Sequence, residues 1–268
     1  HYGDPKDWLC GDQWDTVMNY DAFMEPITWF LTGMEKHSEQ SSADKYNNAG
    51  DFEAKMRYYM SRFSFESLAS AMNELSNHDH SRFLTRTNKK VGRLHTMGAQ
   101  EADTGINKDI MKEAITFQMT WIGAPTIYYG DEAGLTGWTD PDNRRTYPWG
   151  REDREILDYY KTLIKIHKRY RAFAFGSLDY LYMSYGIMCY GRWTEDEKII
   201  VVLNNNDTSQ EVIVPVWRVE APNGTLFNRI IQSGEGSWDR EDQLYTAENG
   251  CIKVMCKAQG SCVIVAKI

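Results

Sequence analysis

Three short apolar runs, at residues 16–20, 72–76 and 125–129, constrain the fold most, because each passes straight into polar side chains. The first ends at Asn19 and Asp21, the second at Asn77, His78 and Asp79, and the third at Gly130, Asp131 and Glu132. Separated by stretches of helical periodicity between residues 15 and 171, such runs predict βα units and a parallel sheet. The helices are legible in the spacing of apolar positions. Ile110, Ala114, Phe117 and Trp121 recur three and four apart and stop at Gly123 and Pro125; Ile156, Leu157, Tyr160, Leu163, Ile164 and His167 keep the same rhythm. A further helix is expected over 51–70, with 35–50 and 89–107 as long surface loops. Loops of that length are uncommon in compact domains and often line a site.

Three βα units cannot close a barrel. A closed eight-stranded barrel pairs every strand edge and fills its interior from all strands, so a three-strand sector would expose apolar surface and two edges. Either the sheet is open and self-sufficient, or an N-terminal half completes it. From about residue 173 the pattern changes to closely spaced strands, at 178–183, 187–193, 198–203, 211–216, 251–257 and 262–266, which predicts an antiparallel β-sandwich. The expected organisation is therefore a βα part over 1–172 and an all-β part over 173–268, with Gly176 as the break.

Composition narrows the partners. A content of 42% hydrophobic and 13% aromatic residues suits a packed protein, and the formal net charge of −8 disfavours nucleic acid or an anionic membrane as a partner, since both demand a basic surface. A neutral partner fits better. The aromatic rings that fall in Gly-, Asp- and Asn-rich stretches suit either core packing or platforms for the apolar faces of sugars. The 5 cysteines are odd in number and form no CxxC pair, which indicates neither a disulfide framework nor a zinc ribbon and favours a reducing, cytoplasmic compartment. There is no apolar run of about 18 residues and no basic-then-apolar leader.

Candidate chemistry falls in three loops. In NELSNHDHSRF, residues 73–83, Asn77, His78 and Asp79 follow an apolar run directly, where a parallel strand would present them at its C-terminal end. Asp79 can accept hydrogen bonds from sugar hydroxyls while His78 donates one; a solvated turn is the competing reading. A metal site at His78, Asp79 and His80 is the third, weakened by the lack of a further ligand at a usual spacing and by the expectation that adjacent strand residues point to opposite sides. In GAPTIYYGDEAG, residues 123–134, Asp131 and Glu132 suit a structural turn better than a site. In TDPDNRRTYPW, residues 139–149, Asp140 and Arg144 sit four apart, offering an acceptor and a forked donor to a pair of sugar hydroxyls, or simply a loop-stiffening ion pair. Trp14, in GDQWDTVMNY at 11–20, reads as a packing residue.

Taken in order, these four segments resemble the later landmarks of the α-amylase superfamily, closest to its neopullulanase, cyclomaltodextrinase and maltogenic amylase group. The resemblance runs from residue 1 to about 171 and continues afterwards only as a domain type. It implies an α/β fold: the C-terminal portion of a (β/α)8 TIM barrel, its sixth to eighth strands, followed by an antiparallel sandwich. It also implies a retaining glycosidase, in which an Asp after the fourth strand attacks the anomeric carbon, a Glu after the fifth protonates the leaving oxygen, and a third Asp grips and distorts the reacting sugar.

Only that third carboxylate has a counterpart in this sequence, and it is Asp79, with His78 as the neighbouring imidazole and Asp140 and Arg144 as holders of the glucose one unit away. His1 resembles the His that often follows the general-acid motif, which would put the acid a few residues upstream. The segment 89–107 is longer than the resemblance leads one to expect, and bears on substrate shape.

The function so implied is hydrolysis of α-glucosidic bonds in maltodextrins, cyclodextrins or pullulan. Its partners are an α-glucan oligosaccharide and the N-terminal part of the same barrel, with no cofactor and no metal; a homodimer of the full-length protein is a further state that the resemblance allows and the sequence leaves open. The chain alone is expected to be inactive. A non-catalytic carbohydrate-binding or scaffold module and a superfamily transglycosylase are the alternatives.

Overall fold

The structure, a computed structural model, describes residues 5–267, so His1 lies outside the described residues. Its residues form two compact units: one from residues up to 46, 50–106 and 121–153, the other from 47–49, 107–120 and 154 onward.

The first unit carries helices α1 (Glu25–Thr32), α2 (Ala49–Met60), α3 (Phe65–Ala69), α4 (Phe83–Arg86) and α5 (Leu94–Met97), and strands β1 (Met72–Glu74) and β2 (Ala124–Thr126). β1 and β2 pair in parallel, Met72 opposite Ala124. On the other side of β1 the run at 16–20 is no strand but a single parallel bridge from Met18 to Met72, supported by Asn19 N to Met72 O (3.0 Å) and Met72 N to Val17 O (3.1 Å). The chain leaves it at once for a π-helical turn, Tyr20–Met24, because Asn19 Oδ1 accepts the Ala22 amide (3.2 Å) and bends the backbone out of extension. The parallel order of the three runs is thus kept while all three shorten, the second to Met72–Glu74.

The expected helix over 51–70 is two. Residues 61–63 turn, and Ser64 Oγ accepts the Ser67 amide (3.2 Å), an N-cap that starts α3 afresh. Gly123 explains the end of the preceding helix. At φ +126° it takes a conformation that L side chains rarely adopt, and a Cβ there would stand 2.4 Å from Asn73 Nδ2. Asn73 is fully buried and links the neighbouring segments, accepting from Asn19 Nδ2 (2.9 Å) and donating to Ile122 O (2.8 Å).

The second unit holds α6 (Lys108–Thr120), α7 (Arg154–Arg169), α8 (Ala172–Phe175) and nine strands: β3 (Ser177–Ser184), β4 (Ile187–Trp193), β5 (Lys198–Asn204), β6 (Gln210–Pro215), β7 (Leu226–Gly234), β8 (Ser237–Asp239), β9 (Gln243–Thr246), β10 (Cys251–Cys256) and β11 (Gly260–Ala266). One antiparallel sheet runs β3-β4-β5-β11-β7-β8, with β9 also on β7; the other is β10-β6. Val212 and Val214, Ile252 and Val254, Ile200 and Val202 alternate inward from both sheets into one buried cluster with Cys189, Cys262 and Ile264, as a sandwich core requires. Each such aliphatic side chain contributes about 1.5–3 kcal/mol. Both long helices belong to this unit. Thr116 Oγ1 lies 2.7 Å from Tyr159 OH and 2.7 Å from Ser261 Oγ, tying α6 to α7 and β11.

Candidate active-site loops

The site is built on the turn after β1. Asn77 Oδ1 accepts two successive backbone amides, Asp79 N (3.0 Å) and His80 N (3.1 Å), folding the chain back over its own side chain. That turn exposes His78 and Asp79 together and buries Asn77 and His80. His78 Nε2 comes to 3.4 Å from Asp79 Oδ1, so the two point the same way, contrary to the strand alternation expected of them; they lie in a bend beyond the strand. Among the described residues no group of three or more His, Cys, Asp or Glu side chains is arranged to hold a metal ion.

The loop after β2 is fastened to this turn through main-chain atoms. Asp140 N reaches Asp79 O (3.4 Å), and Thr139 Oγ1 donates to the same oxygen. Arg144 Nε is shared between Asp140 Oδ1 (2.8 Å) and His78 O (3.1 Å). Asn143, fully buried, donates from Nδ2 to Asn77 O (3.0 Å) and His80 O (2.7 Å). All four sequence candidates, His78, Asp79, Asp140 and Arg144, therefore meet in one exposed patch, each side chain about half open to solvent. An exposed ion pair such as Asp140 with Arg144 adds at most about 1 kcal/mol to stability; its consequence here is the fixed placement of a carboxylate beside a guanidinium. A cleft of about 150 Å³ beside Asp140 is lined by Arg93, Leu94, His95, Thr139 and Pro141, which brings the 89–107 segment to the patch. A larger cavity, about 310 Å³ and lined by Asn19, Tyr20, Asp21, Tyr58, Tyr59 and Arg62 among others, contains none of the four.

Beneath the patch lies a polar foundation. The His80 ring packs edge-on to Tyr20 (4.9 Å) and His37 (4.6 Å), and burial, with the Arg86 charge adding, pushes it down to about 2, so it stays neutral. Arg82 and Asp131 form a fully buried pair at 2.9 Å; Arg82 also donates to Asn143 O (2.9 Å) and Tyr129 O (2.7 Å) and stacks over Tyr128. Burial raises Asp131 above the usual carboxylate range, opposed by the Arg82 charge. The Gly-Asp-Glu turn is thus structural at both acids, since Glu132 Oε2 accepts the Gly130 amide (2.8 Å). Trp14 does not pack into the core: it is exposed and stacked on Trp8 at 5.5 Å.

Glu74, Arg82 and Asn143 were not singled out from the sequence, and Asn77 was named in the candidate cluster without its role in shaping the turn. Asn77 carried a usable signal, an Asn placed where its side chain can cap the amides two and three residues on. The others join through tertiary contacts that no local pattern announces.

Acceptors and forked donors are thus gathered at the strand ends of a βα unit, the face on which such folds place their sites. The family described as alpha amylase, catalytic domain, matches residues 4–161, and the chain belongs to it. The chain is 36% identical over 213 residues to a cyclomaltodextrinase of Thermoanaerobacter pseudethanolicus, covering 78% of this chain and 32% of that protein. It is 32% identical over 217 residues to neopullulanase 2 of Thermoactinomyces vulgaris, covering 80% of this chain and 32% of that enzyme. In structure it is similar to the Nostoc punctiforme debranching enzyme, with a TM-score of 0.73 and 26% identity over 100% of this chain and 51% of that one. The chain therefore spans about a third of the length of those two curated relatives.

Proposed function

We propose that this chain forms the sixth to eighth strands of a (β/α)8 barrel over 1–172 and the trailing sandwich over 173–268 of a retaining enzyme that hydrolyses α-glucosidic bonds in maltodextrins, cyclodextrins or pullulan. Asp79 binds the hydroxyls of the reacting sugar and favours its distortion, His78 donates a hydrogen bond beside it, and Asp140 with Arg144 holds the next glucose unit. The observation that carries this reading is the fastening of the Asp140–Arg144 loop onto the turn of Asp79, through Asp79 O, His78 O and Asn143. It supplies one continuous acceptor and donor surface for two adjacent sugars. The nucleophile and the general acid are assigned to the part of the barrel outside this chain, which is the partner it requires. The full-length enzyme is assigned to the cytoplasm and works as a homodimer, with no cofactor and no metal.

In the full-length enzyme, Asp79→Asn is expected to lower turnover by roughly a thousandfold or more with maltotriose, while Asp140→Ala and Arg144→Ala mainly raise KM or change product length. The isolated chain is expected to bind oligosaccharide weakly and to show no turnover. Unchanged kinetics in Asp79→Asn would remove Asp79 from the mechanism. Turnover by the purified chain would overturn the division of labour, and binding without turnover by the full-length protein would leave a carbohydrate-binding module.

A further inference from the structure

Glu74, at the end of β1, is a buried carboxyl that the proposed mechanism does not use. Its Oε2 accepts from Asn77 Nδ2 at 3.3 Å, and Asn77 Nδ2 also reaches Tyr20 OH at 2.9 Å. The opposite end of the same amide, Oδ1, holds the Asp79 and His80 N–H groups. Rotating this amide by half a turn would aim its NH2 at two backbone donors and undo the cap. The two backbone donors thus favour the observed orientation, and the groups on the Nδ2 side reinforce or weaken it. Tyr20 OH, which donates to Met18 Sδ (3.5 Å), accepts from Nδ2, and an ionised carboxylate, which only accepts, adds to the same orientation.

We infer that Glu74 is a positioning residue for Asp79, acting through the side-chain amide of Asn77. The inference rests on the glycosidase reading of the site. The groups facing Glu74 are Asn77 on its own segment, Tyr20 from the segment before it, and Asp131 from the turn after β2, whose charge is paired with Arg82; among the described residues no cation pairs with Glu74. Burial raises Glu74 to about 7, opposed by the Asn77 hydrogen bond and reinforced by Asp131. Above that pH the acceptor-only form prevails and the Asp79 turn is held in one geometry. Below it the protonated carboxyl can also donate, the selection weakens, and Asp79 is held less firmly.

The test uses the full-length enzyme with Glu74→Leu and Glu74→Gln. Glu74→Leu is expected to lower kcat about tenfold with KM within about twofold, and to speed hydrogen exchange at the Asp79 and His80 amides. Glu74→Gln, which like the protonated carboxyl can both accept and donate, should hold kcat and amide exchange at all pH values near those the unsubstituted enzyme shows below the inflection. Its pH–rate profile should lack the inflection near 7 that the unsubstituted enzyme shows, where rate rises with pH. Wild-type kcat and exchange in Glu74→Leu, or an inflection retained in Glu74→Gln, would overturn the inference. If Glu74→Leu fails to fold, the Gln profile decides. If Asp79→Asn leaves turnover intact, the glycosidase reading falls and the exchange rates alone decide the role of Glu74.

Discussion

The two compact units bury arginines alike, each bonded to main-chain oxygens, but bury carboxyls in opposite ways. In the first, Asp131 is paired with Arg82, which also donates to main-chain oxygens, and Arg86, fully buried, donates to Thr28 Oγ1 and Leu75 O. In the second, Glu113 lies on α6 fully buried, and neither carboxyl oxygen has a hydrogen-bond partner among the described residues. Its neighbour Lys112 is paired with Glu155 (2.6 Å) and Asp109 (2.8 Å), so the contrast concerns the carboxyl alone. The difference follows from what else holds each unit. With β1 and β2 only 3 residues long each, the first unit depends on buried polar links to fix its loops. The second has a continuous antiparallel sheet and an apolar cluster, and can carry an unpartnered carboxyl.

The largest expected effect breaks the charge pair. Arg82→Ala strands Asp131 in the interior and should cost about 3–5 kcal/mol. If the contrast is right, proteolysis on warming will cut first within 77–86 and 121–145, while amides of β5 and β11 stay protected from exchange. Loss of both units in a single transition would break the comparison.

The next effect has the opposite sign. Glu113→Met should stabilise the second unit by about 1–3 kcal/mol at pH 8, because a buried polar group without partners gives way to an apolar one of similar size. Burial, with the Asp109 charge adding, raises Glu113 well above its ordinary 4.5, so the folded state binds the proton more tightly than the unfolded one. The stability this confers is complete below about 4.5 and is lost as pH rises toward the folded value. The gain from Glu113→Met should therefore shrink at pH 5 and grow at pH 8, as read by urea midpoints. A gain independent of pH would mean that Glu113 finds partners in solution. The smallest effect is Ser64→Ala, which removes the cap of α3 and should cost about 1 kcal/mol at any pH. A cost as large as that of Arg82→Ala would shift the burden in the first unit from buried charge to local capping.

Much of this was legible in the sequence, for reasons that differ between the units. Helical spacing gave α6 and α7 because a buried stripe needs residues three and four apart, and strands such as β4 and β5 were legible because every residue of β4 up to Arg192 is buried and β5 is an aliphatic run. β7, the 9-residue strand, was not expected. The pairing with β11 skips Ile230, the alternation of burial lapses after Ile231, and Asn228, Arg229, Gln232 and Ser233 hide the apolar positions. The run at 16–20 looked like a strand because its residues suit extension; the Asn19 side chain, by bonding Ala22 N, overrode that preference. His78, Asp79, Asp140 and Arg144 were visible because they sit in loops that nothing apolar explains. Glu74 and Asn143 were hidden, since a lone acid in a strand and a lone Asn in a loop acquire meaning only from partners 3 and 66 residues away.

Asn143 has a practical corollary for redesign. Because its one amide nitrogen spans Asn77 O and His80 O, and its own carbonyl receives Arg82 Nε, the segments 77–82 and 139–145 make up a single transplantable cassette. Replacing 139–145 without this Asn would orphan two buried carbonyls, Asn77 O and His80 O, and replacing 77–82 without Arg82 would remove the donor to Asn143 O. Chimeras that exchange both segments together should express and fold where single-segment grafts precipitate.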